Sequence, residues 1–324
     1  MKPRSLLALC VGFSLIGQFA FAADKAPARI GILTMAEQHC ANVPFREGLR
    51  ELGYVEGKNV VIECHPSHNL YAGLPAAAAK LVRSQPDIIV ALTHVAVETA
   101  QQATREIPIV MIASGDPVAA GFVASLARPG GNITGVTYFA NELYAKRLEF
   151  LKAVVPDLRR VGLLLQPTSS KNQTKSYLDA NRQAAKELGI ELVVMEASNT
   201  AGIERAFEAM ARQKIQAVHI LGYWLFADEA QRIADLAMFH HIPTMHFLDS
   251  FPTLGGLMSY GPNYPAMQRR TATHVDRILR GARPAELPVE QPSRLELVIN
   301  LATARELGLK VPQSLLLRAD KVIE

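Results

Sequence analysis

The sequence predicts an α/β protein built as two similar doubly wound parallel-sheet lobes. Three observations predict it. β-Branched apolar runs alternate with amphipathic stretches from residue 28 onward, short polar corners punctuate the ends of those runs, and the alternation restarts after about residue 138. Runs that are apolar throughout belong in parallel sheets covered by helices on both faces. A chain of 324 residues is long enough for two such units.

In chain order, Arg29–Thr34 reads as the first strand and "FREGLRELG", Phe45–Gly53, as an amphipathic helix closed by its glycine. Val60–Cys64 and Asp87–Leu92 are strands, each followed by a helix, Leu74–Ser84 and Val95–Arg105. Ile107–Ala113 is a strand buried on both faces, and Ile133–Val136 is a short one. Between them Asp116 is a good N-cap and Pro117 a favoured first helical residue, so a helix of small residues is expected to run to the stop at Pro129-Gly130-Gly131. The second series opens with the helix Glu142–Val154 and the strand "RRVGLLLQP", which ends at Gln166-Pro167. It continues as helix Thr174–Leu188, strand Ile190–Glu196, helix Gly202–Arg212, strand Ala217–Leu221, helix Asp228–His240 and strand Ile242–His246. The remainder holds a helix at about Tyr264–Arg280, a Pro-rich crossing Pro284–Pro292, a strand Leu295–Asn300 and a helix Ala302–Leu307. It is too small for a third domain and is expected to return to both lobes.

The amino terminus reads as a signal peptide, residues 1–22. Lys2 and Arg4 make a basic start, Leu6–Phe19 is apolar, and Ala20-Phe21-Ala22 is a small-x-small cleavage site. The mature protein is therefore expected in the periplasm. The formal charge is +4, and removing Lys2 and Arg4 leaves about +2, which argues against nucleic acid as a partner. The first strand begins just after the leader, with no helix-turn-helix headpiece before it.

Losing the leader also loses Cys10 and leaves Cys40 and Cys64. In an oxidising compartment two cysteines invite one disulfide. Consecutive strands of such units are usually neighbours, which would bring the two Cα atoms within about 7 Å. Two free thiols, or a zinc site with His39, His65 and His68, are the alternatives. The spacing matches no standard zinc pattern, so no metal is expected.

Signatures of catalysis are missing. There is no Gly-x-Gly-x-x-Gly after a strand, no phosphate loop, no Gly-x-Ser-x-Gly elbow and no His-Glu-x-x-His. The reading is of a non-enzyme, with no catalytic residue and no cofactor. Interest falls on the corners at strand ends, where parallel sheets place their ligands. These are Thr34-Met35, Thr93-His94, Ser114 with Asp116, Thr168-Ser169, Tyr223-Trp224 and Asp249-Ser250, with Tyr260 in "GGLMSYGPNY" as a further candidate. Helix amino termini there can hold a carboxylate, aspartates an ammonium group, and aromatic rings an apolar body. Each of these residues could equally serve only as a cap or as loop packing; their joint placement is the argument. Asp116 and Trp224 are expected to face each other across a closed cleft. His219, in an apolar strand, reads as a hydrogen-bonded core histidine.

Several stretches together carry a family resemblance: "FREGLRELGYVEGKNVVIE", "IPIVMIASGDPVAAGFVASLARPGGNITGV", "KRLEFLKAVVP", "GGLMSYGPN", "VDRILRGARPAELPVEQPSRLELVINLATARELGL" and "VPQSLLLRADKVIE". The chain resembles the substrate-binding proteins of the tryptophan-type ABC transporter group, with the type I periplasmic-binding fold. The resemblance implies two lobes joined by a three-strand hinge, with crossings near residues 138, 260 and 292. The first lobe would hold 23–137 plus 262–291, and the second 138–261 plus 292–324. It also implies a monomer that captures a small molecule, an amino acid or other small amphipathic carboxylate, by hinge closure. The partners would be a membrane permease and an ATPase. The alternative is a sensor subunit that presents ligand to a membrane receptor. This chain departs from the family pattern at Thr93-His94, where Thr-Pro is expected. It departs again at Gly222-Tyr223-Trp224, in place of a Pro-Asp corner, and at Asp249-Ser250, in place of an Arg-Glu pair. These are cleft positions, so the resemblance leaves the ligand open.

Overall fold

The computed structural model describes residues 26–68, 71–138, 140–167, 171–292 and 294–324. The expected leader, Thr168 and Ser169 lie outside the described residues.

Two sheets organise the chain. The first is all parallel, in the order β2-β1-β3-β4-β5, from β1 (Ala28–Thr34), β2 (Val60–Pro66), β3 (Ile88–Ala91), β4 (Ile109–Ser114) and β5 (Ile133–Tyr138). The alternating faces of its strands separate two apolar layers. Ile30, Ile32, Ile88, Val90, Val110 and Ile112 face α1 (Val43–Glu51), through Phe45 and Leu49. Leu33, Ile89, Ala91 and Met111 face α2 (Leu74–Arg83) and α3 (His94–Ala103). This alternation places helices on both faces, as doubly wound sheets require.

The second sheet has seven strands in the order β12-β11-β10-β9-β8-β6-β7. Its strands are β6 (Arg160–Leu165), β7 (Glu191–Glu196), β8 (Ala217–Ile220), β9 (Thr244–His246), β10 (Met258–Pro262), β11 (Leu295–Asn300) and β12 (Lys321–Ile323). α4 (Ala140–Val154) and α5 (Lys171–Glu187) cover one face, through Leu148, Leu151, Ala184 and Ala185. α6 (Thr200–Arg212), α7 (Trp224–Asp228) and α8 (Ala230–Phe239) cover the other, through Phe207, Met210, Phe226 and Ile233. After β10 come α9 (Tyr264–Leu279), α10 (Leu301–Glu306) and α11 (Gln313–Leu316).

Three expectations are corrected. The second sheet is not wholly parallel: β11 runs antiparallel to β10, with Pro262 opposite Leu295. The chain leaves β10 for the first lobe and re-enters from that side, so its next strand must run the other way. No helix follows Asp116. Ala120 N–H reaches Asp116 O and Phe122 N–H reaches Pro117 O, but Gly121 then turns left-handed (φ 71°) and ends the coil. The expected helix Asp228–His240 starts two residues later, as α8 from Ala230, and a separate short helix, α7, precedes it from Trp224.

The chain passes between the sheets from β5 to α4, from β10 to α9, and from Glu290 to β11. The first and third passages lie side by side. Val136 pairs with Glu290, and Thr137 N–H donates to Glu290 O at 2.9 Å. Asn263 caps α9 by accepting from Ala266 N–H at 2.9 Å, and its amide donates to Glu296 at 3.2 Å, joining the second passage to the third. α9 lies against α1 so closely that a Cβ on Gly48 would meet Ala272 at 3.0 Å and Arg269 O at 3.2 Å. Among the described residues no helix is long and apolar enough to cross a membrane.

Cys40 and Cys64 form a disulfide, with Cα atoms 5.7 Å apart. β1 and β2 are neighbours in register, with Ile32 opposite Cys64, and Cys40 ends a short turn after β1. Neither thiol is then available to a metal, and no group of three or more His, Cys, Asp or Glu side chains among the described residues is arranged to hold one. The unreduced, denatured mature protein should show no reactive thiol in a titration. Replacing both cysteines by serine should lower stability by about 3 kcal/mol, from loop-closure entropy over the 24-residue separation, read by denaturant unfolding.

Candidate functional site

The carboxyl ends of both sheets face one another, and a cavity lies between them. The first lobe contributes Met35 after β1, Thr93, His94 and Val95 at the start of α3, Ile112 on β4, and Tyr71. Tyr138 and Tyr264 line it where the chain passes between lobes. The second lobe contributes Gln166, Gln173, Ser198 and Phe247, and the run Gly222 to Leu225. The cavity volume is about 60 Å³.

Aromatic rings dominate this wall. Trp224 meets Tyr264 edge to face at 5.4 Å between centroids, and Tyr138 meets Tyr264 at 6.4 Å. Burial pushes the phenols of Tyr71, Tyr223 and Tyr264 well above their usual range, so they are neutral donors and acceptors at any ordinary pH. Thr93 caps α3, its hydroxyl accepting from Ala96 N–H at 3.0 Å. That cap turns the amino terminus of a ten-residue helix toward the cavity, a backbone feature suited to an anion.

The lobes are in contact across the cleft. Trp224 Nε1–H donates to Leu92 O, 3.2 Å away in the other lobe. Asp228, at the end of α7, accepts from Gln38 Nε2 at 2.7 Å and from His39 Nε2 at 3.1 Å. A carboxylate can only accept, so His39 Nε2 carries the proton; Nδ1 lies 3.2 Å from Thr34 Oγ1. His39 also packs on the Trp224 ring at 4.3 Å, and the next residue is the disulfide-bonded Cys40. Among the described residues the two hydrogen bonds to Asp228 form a latch between the lobes.

Of the residues read from the sequence, Met35, Thr93, His94, Tyr223 and Trp224 come together on this wall. Asp116 lines a neighbouring outer mouth, with Glu98 and Phe122, rather than the wall that holds Trp224. Its Oδ1 is taken by the backbone N–H groups of Val118 (2.8 Å) and Ala119 (3.1 Å). Ser114 ends β4 opposite Tyr138. Thr34 is fully buried and holds His39 rather than lining the cavity. Tyr260 points beneath the second sheet onto Phe150, at 5.0 Å, because successive strand residues alternate faces. Asp249 lies past Phe247, which takes the cavity position of that corner, and is among no cavity-lining residues described. His219 is fully buried with neither ring nitrogen hydrogen-bonded, so the expectation of a satisfied histidine fails. Sequence reasoning misses Tyr71, Tyr138 and Tyr264. Two of them sit at lobe crossings, and an aromatic at a crossing is the signal that could have found them.

The chain belongs to the ABC transporter substrate-binding protein family, whose model matches residues 38–323. It is 26% identical over 290 residues to a tyrosine-binding protein of Clostridioides difficile strain R20291, covering 89% of this chain and 83% of that one. Among solved structures it is similar to a conserved domain protein of Vibrio cholerae, with TM-score 0.82 and 27% identity over 91% of this chain and 99% of that one. It is also similar to an ABC domain from Streptococcus pneumoniae in complex with L-Trp, with TM-score 0.81 and 26% identity over 92% and 100% of the two chains. The family is one of substrate-binding proteins, not enzymes, and it works with ABC transporter components.

Asp228→Ala removes both latch hydrogen bonds and leaves the cavity wall untouched. Two exposed hydrogen bonds are worth about 1 kcal/mol together, so ligand affinity should fall about three- to tenfold in calorimetric titration. Unchanged affinity would show that the latch plays no part in closure.

Proposed function

We propose that the cleft captures a small molecule with a flat aromatic body and a carboxylate, and that the protein delivers it from the periplasm to a membrane permease and its ATPase. The observation that carries this reading is the aromatic wall of the cavity, with Trp224 and Tyr264 edge to face beside the amino terminus of α3. The rings offer apolar faces and edges to a ring between them, and the helix terminus suits a carboxylate. Aromatic amino acids belong to this chemical class, and the tyrosine-binding and L-Trp-bound relatives support it. Export by a leader at residues 1–22, binding as a monomer, and ligand contacts from Met35, Thr93, His94, Tyr223 and Trp224 are parts of the same proposal. A lobe division at the three chain passages belongs to it as well.

The test is a thermal-shift and calorimetry screen of aromatic amino acids and aryl carboxylates, with mass spectrometry of whatever co-purifies. A ligand at a hundred- to thousand-fold excess over its Kd should stabilise the protein by roughly 3–4 kcal/mol. Trp224→Ala should weaken that ligand by about 1–3 kcal/mol through lost apolar contact. If no aromatic compound shifts the unfolding temperature, or if Trp224→Ala binds as tightly as the wild type, the reading is wrong.

A further inference from the structure

An aromatic amino acid carries a carboxylate and an ammonium group, and this cavity serves the two unequally. Among the described residues that line it there is no Asp, Glu, Lys or Arg. The acids of the outer mouth, Glu98 and Asp116, are not on the inner wall, and one oxygen of Asp116 is already bonded to two backbone amides. Nothing acidic among the described residues therefore awaits an ammonium group inside.

Positive potential comes from two directions. The amino terminus of α3 is one, with Thr93, His94 and Val95 all on the wall. The other is Arg147 on α4, which is 1% exposed. Its Nε donates to Tyr260 O at 2.7 Å, while Nη2 has no hydrogen-bond partner. Among the described residues no carboxylate pairs with it, and its electrostatic neighbours are the tyrosines Tyr144, Tyr138, Tyr260 and Tyr177. A guanidinium does not shed its proton in a protein, so this is a buried positive charge without a counter-ion. It stands just behind the cavity wall. A Cβ built on Gly261 would lie 3.4 Å from Arg147 Nη2 and 2.4 Å from the carbonyl oxygen of Phe247, and Phe247 is a wall residue. The nearby His219 and His246 are both fully buried, and burial followed by the Arg147 charge holds both neutral. They neither offset the guanidinium nor add to it.

We infer that the cleft takes a small aromatic monoanion, an aryl carboxylate without an α-ammonium group, in preference to the zwitterionic amino acid. Arg147 sets that preference from behind the wall. A carboxylate entering the closed cavity compensates the buried charge through the wall, in a medium where such pairing is strong. An ammonium group entering with it adds a second desolvated cation with no acid to receive it. This rests on the reading of the cleft as an aromatic-ligand site.

The protein supplies its own probe, since Trp224 is its one tryptophan and lies on the cavity wall. Tryptophan emission is titrated with 3-phenylpropionate, L-phenylalanine, 2-phenylethylamine and 3-phenylpropionamide, for the wild type, Arg147→Met and Arg147→Lys. In the wild type 3-phenylpropionate should bind at least about tenfold more tightly than L-phenylalanine, and the amine and the amide more weakly than either. Arg147→Met should bring the carboxylate-to-zwitterion ratio to about threefold or less, and Arg147→Lys should keep most of it. L-Phenylalanine binding as tightly as 3-phenylpropionate to the wild type overturns the inference while leaving the aromatic site standing. A ratio kept by Arg147→Met, with circular dichroism unchanged, overturns the role of Arg147. If Arg147→Met does not fold, the wild-type ratio and Arg147→Lys decide. If none of the four compounds alters the emission or the unfolding temperature, the aromatic reading itself fails and the inference falls with it.

Discussion

The packing of α9 on α1 is the constraint on which the rest of the architecture depends. α9 follows a strand of the second sheet, yet its apolar face, Met267, Ala272, Val275 and Ile278, belongs to the core beside β1, β3 and β4. Gly48 permits that approach, because any side chain there would strike Ala272 or the Arg269 carbonyl. Once α9 is committed to the first lobe and β11 to the second, the chain has to pass between them three times. The passages lie together, tied by the Val136–Glu290 bridge, the Asn263–Glu296 hydrogen bond and the Arg270–Glu290 ion pair. Three short connections side by side resist translation and shear and leave rotation as the soft coordinate. The antiparallel strand β11, the one break in the parallel pattern of the second sheet's centre, follows from the same requirement.

Rotation about that hinge brings together two sets of strand ends, and local chemistry decides what they present. On the first lobe the disulfide ties the turn after β1 to the end of β2. That fixes His39 between Thr34 and Asp228. On the second lobe the short helix α7 carries Trp224 at its start and Asp228 at its end, so the cavity wall and the latch sit on one rigid turn. Any movement of α7 changes both at once. A cysteine pair far from the hinge thus influences closure through a single neighbouring residue.

The lobes, the β1–β2 pairing and most helices were legible in the sequence because apolar periodicity reports burial, and burial is what these elements share. The corners Thr93-His94 and Tyr223-Trp224 were legible for a related reason: polar or aromatic residues directly after an apolar strand have few structural duties. Asp116 misled because capping chemistry is ambiguous; the same carboxylate serves a helix or a non-helical turn, and Gly121 decided for the turn. Tyr260 misled because strand alternation places a residue on one face or the other, and the register was not known until β10 was paired. Tyr71, Tyr138 and Tyr264 depend on how the two lobes meet, which no local pattern encodes. Arg147 was invisible for the strongest reason: on a helix rich in charged residues it reads as solvated, and the structure buries it completely.

Magnitudes decide what drives closure. The contacts between lobes are the two latch hydrogen bonds to Asp228, worth about 1 kcal/mol together in water, and a third, partly buried one from the Trp224 indole of similar individual size. Together they offset part of the cost of ordering the side chains that make them, and no more than that. An aromatic ring enclosed between Trp224, Tyr264 and Tyr223 would remove on the order of 150 Å² of apolar surface from water, or about 4 kcal/mol at 25 cal/mol per Å². On the inference drawn above, compensation of the buried guanidinium would add to the same side of the balance. Such a ligand would therefore supply most of the free energy of closure, and the latch little. In that ordering the contacts between lobes select the geometry of the closed state, while the occupant determines whether it is populated.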